Sequence, residues 1–175
     1  MKKVTLLLLT GALIVFASCG KSEKQFDKEL SEAYSQMEKT KMTSAFICSQ
    51  VSQAWHKAIF DNKTPSGNYC SDFNEALKEL YQNFKKSGIT DSISKWNKNM
   101  QNMTSKLNEH PDSRKDCYNE FVEIVSEVSS FSRMATDPSG NLRSYNQQTS
   151  EAYENISKKQ DQFKIKYGDY IKEKN

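Results

Sequence analysis

Histidine and cysteine are the side chains through which this chain could perform metal or covalent chemistry. His56 and His110 are its only histidines, and they fall on different predicted elements, too far apart to bind one metal ion. The sequence contains no His-Glu-x-x-His, no Glu-x-x-His of the di-iron bundles and no Cys-x-x-Cys. Serine and cysteine nucleophiles need a nearby general base, and no spacing here supplies one. We therefore expect no metal site, no cofactor and no enzymatic activity.

Three of the four cysteines, Cys48, Cys70 and Cys117, belong to the body of the chain. Cys48 shares an apolar stripe with Val51 and Trp55, which is typical of a small buried thiol. Cys48 and Cys117 fall at similar heights in the bundle predicted below, but on helices that a square bundle would place diagonally. A disulfide needs α-carbons about 5.5–6 Å apart. The sequence therefore leaves both a Cys48–Cys117 disulfide and three free thiols open.

The fourth cysteine, Cys19, follows a leader-like segment. Met1-Lys2-Lys3 is positively charged, residues 4–16 are almost entirely apolar, and Ala17-Ser18 places small residues before the cysteine. This arrangement resembles a bacterial lipoprotein signal, which implies cleavage before Cys19 and lipidation of Cys19. The chain then divides into a signal peptide (1–18), a lipidated anchor with a short tether (19–22) and one helical domain (23–175). An ordinary signal peptide or an uncleaved anchor is the alternative.

Apolar residues recur at helical spacing through the rest of the chain. The second predicted helix is interrupted at residues 87–91, where Thr90 or Asp91 can cap a continuation to Leu107. With only 6 Gly and 3 Pro, we expect an all-α fold, an up-down bundle of about four long helices. The predicted helices run over about Glu23–Phe60, from an N-cap at Ser71 through Phe84, from Pro111 through Phe131, and over Leu142–Ile171.

An internal echo predicts that the bundle consists of two pseudo-repeated helical hairpins. Thr64-Pro65-Ser66-Gly67-Asn68 recurs as Asp137-Pro138-Ser139-Gly140-Asn141, 73 positions later, and the preceding apolar stripes align at the same offset. Up-down connectivity puts both corners at the end opposite Cys19, like the far end of a post. Free amides ahead of helix starts can hold an anion, unless these residues simply make the chain turn. The candidate tip-binding residues are Ser66, Gly67, Asn68, Ser139, Gly140 and Asn141.

Charge and hydropathy limit the partners. Without Lys2 and Lys3 of the leader, 23 basic residues face 22 acidic ones, so the mature chain has no concentrated basic character for binding nucleic acid. The mean hydropathy is −0.80, and no apolar run after the leader approaches the ~20 residues of a membrane span. The chain is expected to be held by the lipid on Cys19 alone.

The composition and leader together resemble the small outer-membrane lipoproteins of Bacteroidetes. Gly20 after Cys19 is not the Asp that retains lipoproteins in the inner membrane, so the resemblance implies the outer membrane. Residues 20–24 lack the acidic pair associated with surface export, which favours the periplasmic side. Asp91-Ser92-Ile93 is similar to the O-glycosylation tripeptide of that group, with an N-cap role for Ser92 as the alternative.

Two functional classes follow from these features. The first is a non-enzymatic binding or scaffolding lipoprotein of the cell envelope, whose helical faces or corner tip contact another envelope protein. The second is a glycan or small-ligand binder that uses grooves lined by Tyr145, Tyr153 and Tyr167.

Overall fold

The computed structural model describes residues 21–172, so Cys19 and the predicted leader lie outside the described residues. Over this range the chain is an all-α bundle, which confirms the predicted fold class. No helix of the described range is long and apolar enough to cross a membrane. The helices are α1 (Glu23–Asp61), α2 (Phe73–Lys86), α3 (Ile89–Lys106), α4 (Lys115–Thr136) and α5 (Leu142–Tyr167), with a 3-10 turn at Asp112–Arg114.

The long α1 begins and ends where its sequence supplies caps. The Ser22 hydroxyl accepts a hydrogen bond from the Gln25 amide, which satisfies a free donor of the first turn. At the other end Asn62 adopts a left-handed conformation with φ 51°, and its amide bonds to the Lys57 carbonyl. The 39 residues between these caps span about 58 Å at 1.5 Å per residue.

The predicted second helix is divided into α2 and α3 at Gly88. Gly88 has φ 75°, a left-handed conformation that glycine adopts without steric cost, and it is the N-cap residue of α3. Thr90 and Asp91, the predicted caps, lie inside the first turn of α3 instead. The third predicted helix also begins later than expected. Pro111 precedes the 3-10 turn, and α4 starts at Lys115.

Helix α1 is the element around which the others are arranged. It packs against all four other helices, whereas α5 packs against α1 and α4 but makes no substantial contact with α2 or α3. Buried positions of α1 come in adjacent pairs, such as Ala33–Tyr34 and Ile47–Cys48, so its buried sector is wide enough for several neighbours. The bundle is therefore not square. Helices α1 and α4, expected to be diagonal, pack directly against each other.

The register between α1 and α4 differs from that implied by the internal echo. Phe121 lies beside Tyr34, with ring centroids 6.4 Å apart, and Arg114 bonds Asp27, 87 positions before it. The predicted offset of 73 would have paired Phe121 with Cys48. The chain turns at both predicted corners, but matching turn residues do not determine how the helices slide along each other. Packing of the large aromatic side chains sets that register.

The end of the bundle nearest residue 21 is closed by the segment after α5. Helix α5 ends at Tyr167 rather than at the predicted Ile171, and residues 168–172 fold back across α1 and α4. The Ser31 hydroxyl donates to the Ile171 carbonyl, and the Arg114 guanidinium lies 3.9 Å from the centre of the Tyr170 ring. These contacts hold the last described residues against the first turns of α1.

Candidate functional site

The first corner, residues 62–71, is a short folded-back loop at the far end of the bundle. Lys63 and Tyr69 pair across it, and the Thr64 amide bonds to the Asn68 carbonyl. Gly67 makes the turn with φ 89° while its amide donates to the Thr64 carbonyl. Much of the hydrogen bonding of the loop backbone is therefore made within the loop itself.

The predicted anion-binding group of this corner already has an internal acceptor. The amide and hydroxyl of Ser66 both donate to Oε1 of Glu79, at 2.9 and 2.7 Å. The hydroxyl bond keeps the pKa of Glu79 below its usual range. Asn68 donates to the Ser66 hydroxyl oxygen in turn. A carboxylate from α2 therefore occupies the place that the sequence offered to an external anion.

The second corner uses its polar groups to start α5. The Ser144 amide donates to the Asn141 side chain, and the Asn141 amide donates to the Ser144 hydroxyl, which forms a reciprocal capping box. Gly140 has φ 90°, and a β-carbon there would lie 2.8 Å from the Ser144 hydroxyl oxygen. The Asn141 amide is therefore committed to the cap. Ser139 is exposed at the same corner.

Large apolar side chains are exposed around the first corner, which the polar tip prediction did not include. The Phe60 side chain is 65% exposed and Tyr69 is 80% exposed. Ile59 is also exposed, at the end of α1. Phe73 is exposed at the start of α2, where its ring packs edge-on against Trp55. We call Ile59, Phe60, Tyr69 and Phe73 the apolar tip.

A second exposed apolar surface runs along the side of the bundle. Shallow grooves follow α1 from its first turn, and the largest has a volume of about 910 Å³. They join through shared residues Ser35, Lys39, Met42 and Trp96. We call this surface the α1–α3 face. It comprises Lys24, Lys28, Ser35, Lys39, Met42 and Phe46 on α1, and Ile89, Ser92, Trp96 and Met103 on α3.

A signal for this face was present in the sequence. Met42 and Phe46 lie off the stripe formed by Ile47, Val51 and Trp55, so they could not enter the same core. In the structure the Met42 and Phe46 side chains are 57% and 50% exposed. Single exposed apolar residues are common, but a contiguous group of them marks an interaction surface.

Ser92 lies on the α1–α3 face, partly exposed and inside the first turn of α3. Its amide donates to the Gly88 carbonyl, so Ser92 is a helical residue rather than the N-cap proposed as its alternative role. Ser92 lines the same groove as Phe46 and Trp96.

The tyrosines proposed to line a ligand groove are in different environments. Tyr145 is buried, and its hydroxyl donates to the Met134 carbonyl, so it cannot contact a ligand. The Tyr167 hydroxyl donates to Glu120. Only Tyr153 lines an open groove, of about 420 Å³ between α1 and α5.

The cysteines of the described range, Cys48, Cys70 and Cys117, are free thiols, and all are buried. Cys48 and Cys117, considered as a disulfide, lie about 27 Å apart along the bundle axis, because Phe121 is level with Tyr34 and each helical residue rises 1.5 Å. That separation excludes the bond, and the similar heights inferred from the echo were wrong. Burial raises the pKa of the Cys117 thiol to about 12, so it is a neutral core residue at physiological pH.

The two histidines lie at opposite ends of the bundle. His56 stacks against Phe60 near the first corner, whereas His110 contacts Phe26 and Tyr118 at the opposite end. Within residues 21–172 no three His, Cys, Asp or Glu side chains are grouped to hold a metal ion. Compared with known proteins, the chain matches no family model, no curated protein and no solved structure.

Proposed function

We propose that this chain is a lipid-anchored, non-enzymatic binding or scaffolding protein of the cell envelope. Cys19 attaches it to the outer membrane, on the periplasmic side, and the apolar tip contacts another envelope protein. The leader supports the anchor, and the tip supports the partner contact.

The observation that carries this proposal is the uneven distribution of exposed apolar side chains. The large ones that are exposed lie on α1 or on the segment from its end to Phe73, with Ile165 on α5 as the exception among the described residues. Aromatic side chains such as those of Phe60 and Tyr69 are the anchors that protein interfaces favour. The end of α1 lies at the opposite end of the bundle from Lys21, the first described residue.

Site-specific photo-cross-linking in cells tests this proposal. A photoreactive phenylalanine analogue would replace Phe60 or Tyr69, and Ile165 is the matched control because it is exposed but lies elsewhere. We expect a discrete protein adduct from the tip positions and none from Ile165. The same weak adducts from all three positions would contradict a partner at the tip. Protease treatment of intact cells, before and after the outer membrane is opened, tests the periplasmic orientation.

A glycan or small-ligand binder is the second proposal, and the groove beside Tyr153 supports it. Asn146, Ser150 and Glu154 line the same groove, which combines an aromatic ring with hydrogen-bonding groups. Such a combination can hold a sugar by stacking and hydrogen bonding. The test is a thermal-shift screen with cell-wall and polysaccharide fragments. A hit that Tyr153→Ala abolishes would support it, and a silent screen would count against it.

A further inference from the structure

We propose that the α1–α3 face is a membrane-contacting surface, on which the bundle lies along an anionic bilayer. This inference rests on the proposed anchor at Cys19. The sequence predicts a bundle that stands away from the membrane with its corners at the far end. Here the long axis of the bundle runs along the membrane instead.

The apolar part of the face has the composition of an interfacial membrane contact. Met42 and Phe46 project from α1 with about half of each side chain exposed, and Trp96 and Ile89 flank them on α3. A partly exposed Trp beside exposed Phe and Met is suited to the boundary between headgroups and acyl chains. Neither Met42 nor Phe46 is among the buried positions of α1, which lie on the other side of that helix.

The basic part of the face is available to bind headgroups. No described carboxylate lies within ion-pair distance of Lys24, Lys28 or Lys39. Glu32 is the groove-lining acid that also lacks a described partner. The other acids that line the grooves are engaged elsewhere: Asp27 with Arg114, Glu38 with Lys164 and Asp169 with Lys172. Lysines beside exposed apolar residues favour an anionic lipid surface.

The position of the anchor decides between a membrane and a protein partner. The Lys21 ammonium pairs with Glu29 and donates to the Lys106 carbonyl at 2.7 Å, so the chain is held against the bundle from Lys21 onward. Only Gly20 separates Lys21 from Cys19. The α1–α3 face starts at the next residues, so a lipid on Cys19 would hold it at the bilayer at a high effective concentration. The face can then contact the bilayer even if its own affinity for lipid is low.

Tryptophan quenching by brominated lipids tests the contact. The full chain would be processed in cells, purified from membranes and reconstituted in phosphatidylcholine vesicles with or without phosphatidylglycerol. Trp55 is buried, so the quenchable signal should come from Trp96, and Trp96→Phe defines the background. The face variants are Met42→Ser with Phe46→Ser, and Lys24→Glu with Lys28→Glu.

We expect strong quenching of Trp96 in anionic vesicles and loss of it in both face variants. Loss of one lysine charge near an anionic surface should weaken the contact about 5-fold, and each Lys→Glu reversal should weaken it by more than that. Ile165→Ser is the matched control and should leave quenching unchanged, while circular dichroism confirms that every variant is helical. Acylated protein whose Trp96 stays unquenched would overturn the proposal. Face variants that lose cross-linking to a protein but keep the quenching of Trp96 by lipid would also overturn the proposal.

The mass of the purified protein separates this inference from the anchor. If the chain is not acylated, the proposed anchor fails, and the face is judged by flotation with vesicles. Salt-sensitive flotation with anionic vesicles that the face variants abolish would retain the membrane contact. No flotation would overturn it together with the anchor.

Discussion

Replacement of Arg114 should weaken the end of the bundle that lies nearest residue 21. The Arg114 Nε donates to Asp27 Oδ1 at 2.9 Å and an Nη2 hydrogen to Oδ2 at 3.2 Å, a forked contact between α4 and α1. The same guanidinium lies over the Tyr170 ring. Arg114 and Asp27 are only 11% and 18% exposed, so water screens the pair weakly.

The cost of Arg114→Ala follows from these contacts. Hydrogen bonds to a mostly buried carboxylate contribute about 1.5–3 kcal/mol, and the contact with Tyr170 adds about 1 kcal/mol. The variant also leaves the Asp27 carboxylate without its partner. We expect a loss of about 3 kcal/mol in unfolding free energy, or roughly 6–12 °C in Tm for a domain of this size.

Urea and thermal unfolding of the purified protein measure this loss. Arg114→Lys should recover only part of it, because an ammonium cannot make the forked contact. Arg133→Ala is the matched control, since Arg133 bonds only the exposed Ser130 hydroxyl. Hydrogen exchange of residues 168–172 should rise in Arg114→Ala. A change below about 0.5 kcal/mol, the scale of an exposed ion pair, would refute the reasoning.

Three further predictions concern the core and one turn. Tyr34→Phe should be neutral or stabilise by up to about 1 kcal/mol, because the buried Tyr34 hydroxyl has no hydrogen-bond partner among the described residues. Tyr145→Phe, its control in urea melts, loses a bond to a carbonyl and should cost about 1 kcal/mol. Burial raises the pKa of Tyr34 and of Cys117 to about 12, so both neutral forms favour the fold. The unfolding free energy should have its full value below pH ~9 and should fall as the pH rises toward 12, by at most about 1.4 kcal/mol per pH unit for each group. An unfolding free energy that does not change across this range would contradict the prediction. In chemical denaturation Gly88→Ala should lower the unfolding free energy by about 1–2 kcal/mol and Gly88→Asn by less, because only the left-handed φ opposes either side chain. Equal stability of the two variants and the unaltered protein would argue against that strain.

The helices were predictable because their apolar spacing is local information. The stripe through Phe26, Leu30 and Met37 predicts α1, and the Ser87-Gly88 break was visible in the second helix. The register between α1 and α4 was not predictable from the repeated turn residues. It depends on how Tyr34 and Phe121 fit each other, which is a property of two distant segments.

The candidate site was only partly visible in the sequence. The corners were located correctly, but the bond from Ser66 to Glu79 joins a loop to the second turn of the next helix, and no spacing rule predicts it. Tyr145 was placed in a groove because its position on α5 is helical and aromatic, and the structure buries it. Exposure of Met42 and Phe46 could have been inferred from their positions off the α1 stripe.

The central position of α1 has a consequence for the order in which the protein can fold. α1 is the first of the described helices, yet its neighbours extend to the end of the described residues, as the bond between Ser31 and Ile171 shows across 140 positions. Until α5 and the segment after it are available, α1 lacks part of its packing surface. A nascent chain therefore cannot complete its core until α5 has been synthesised. The finished fold should then unfold in a single cooperative transition, because no subset of helices excludes α1 and retains a core.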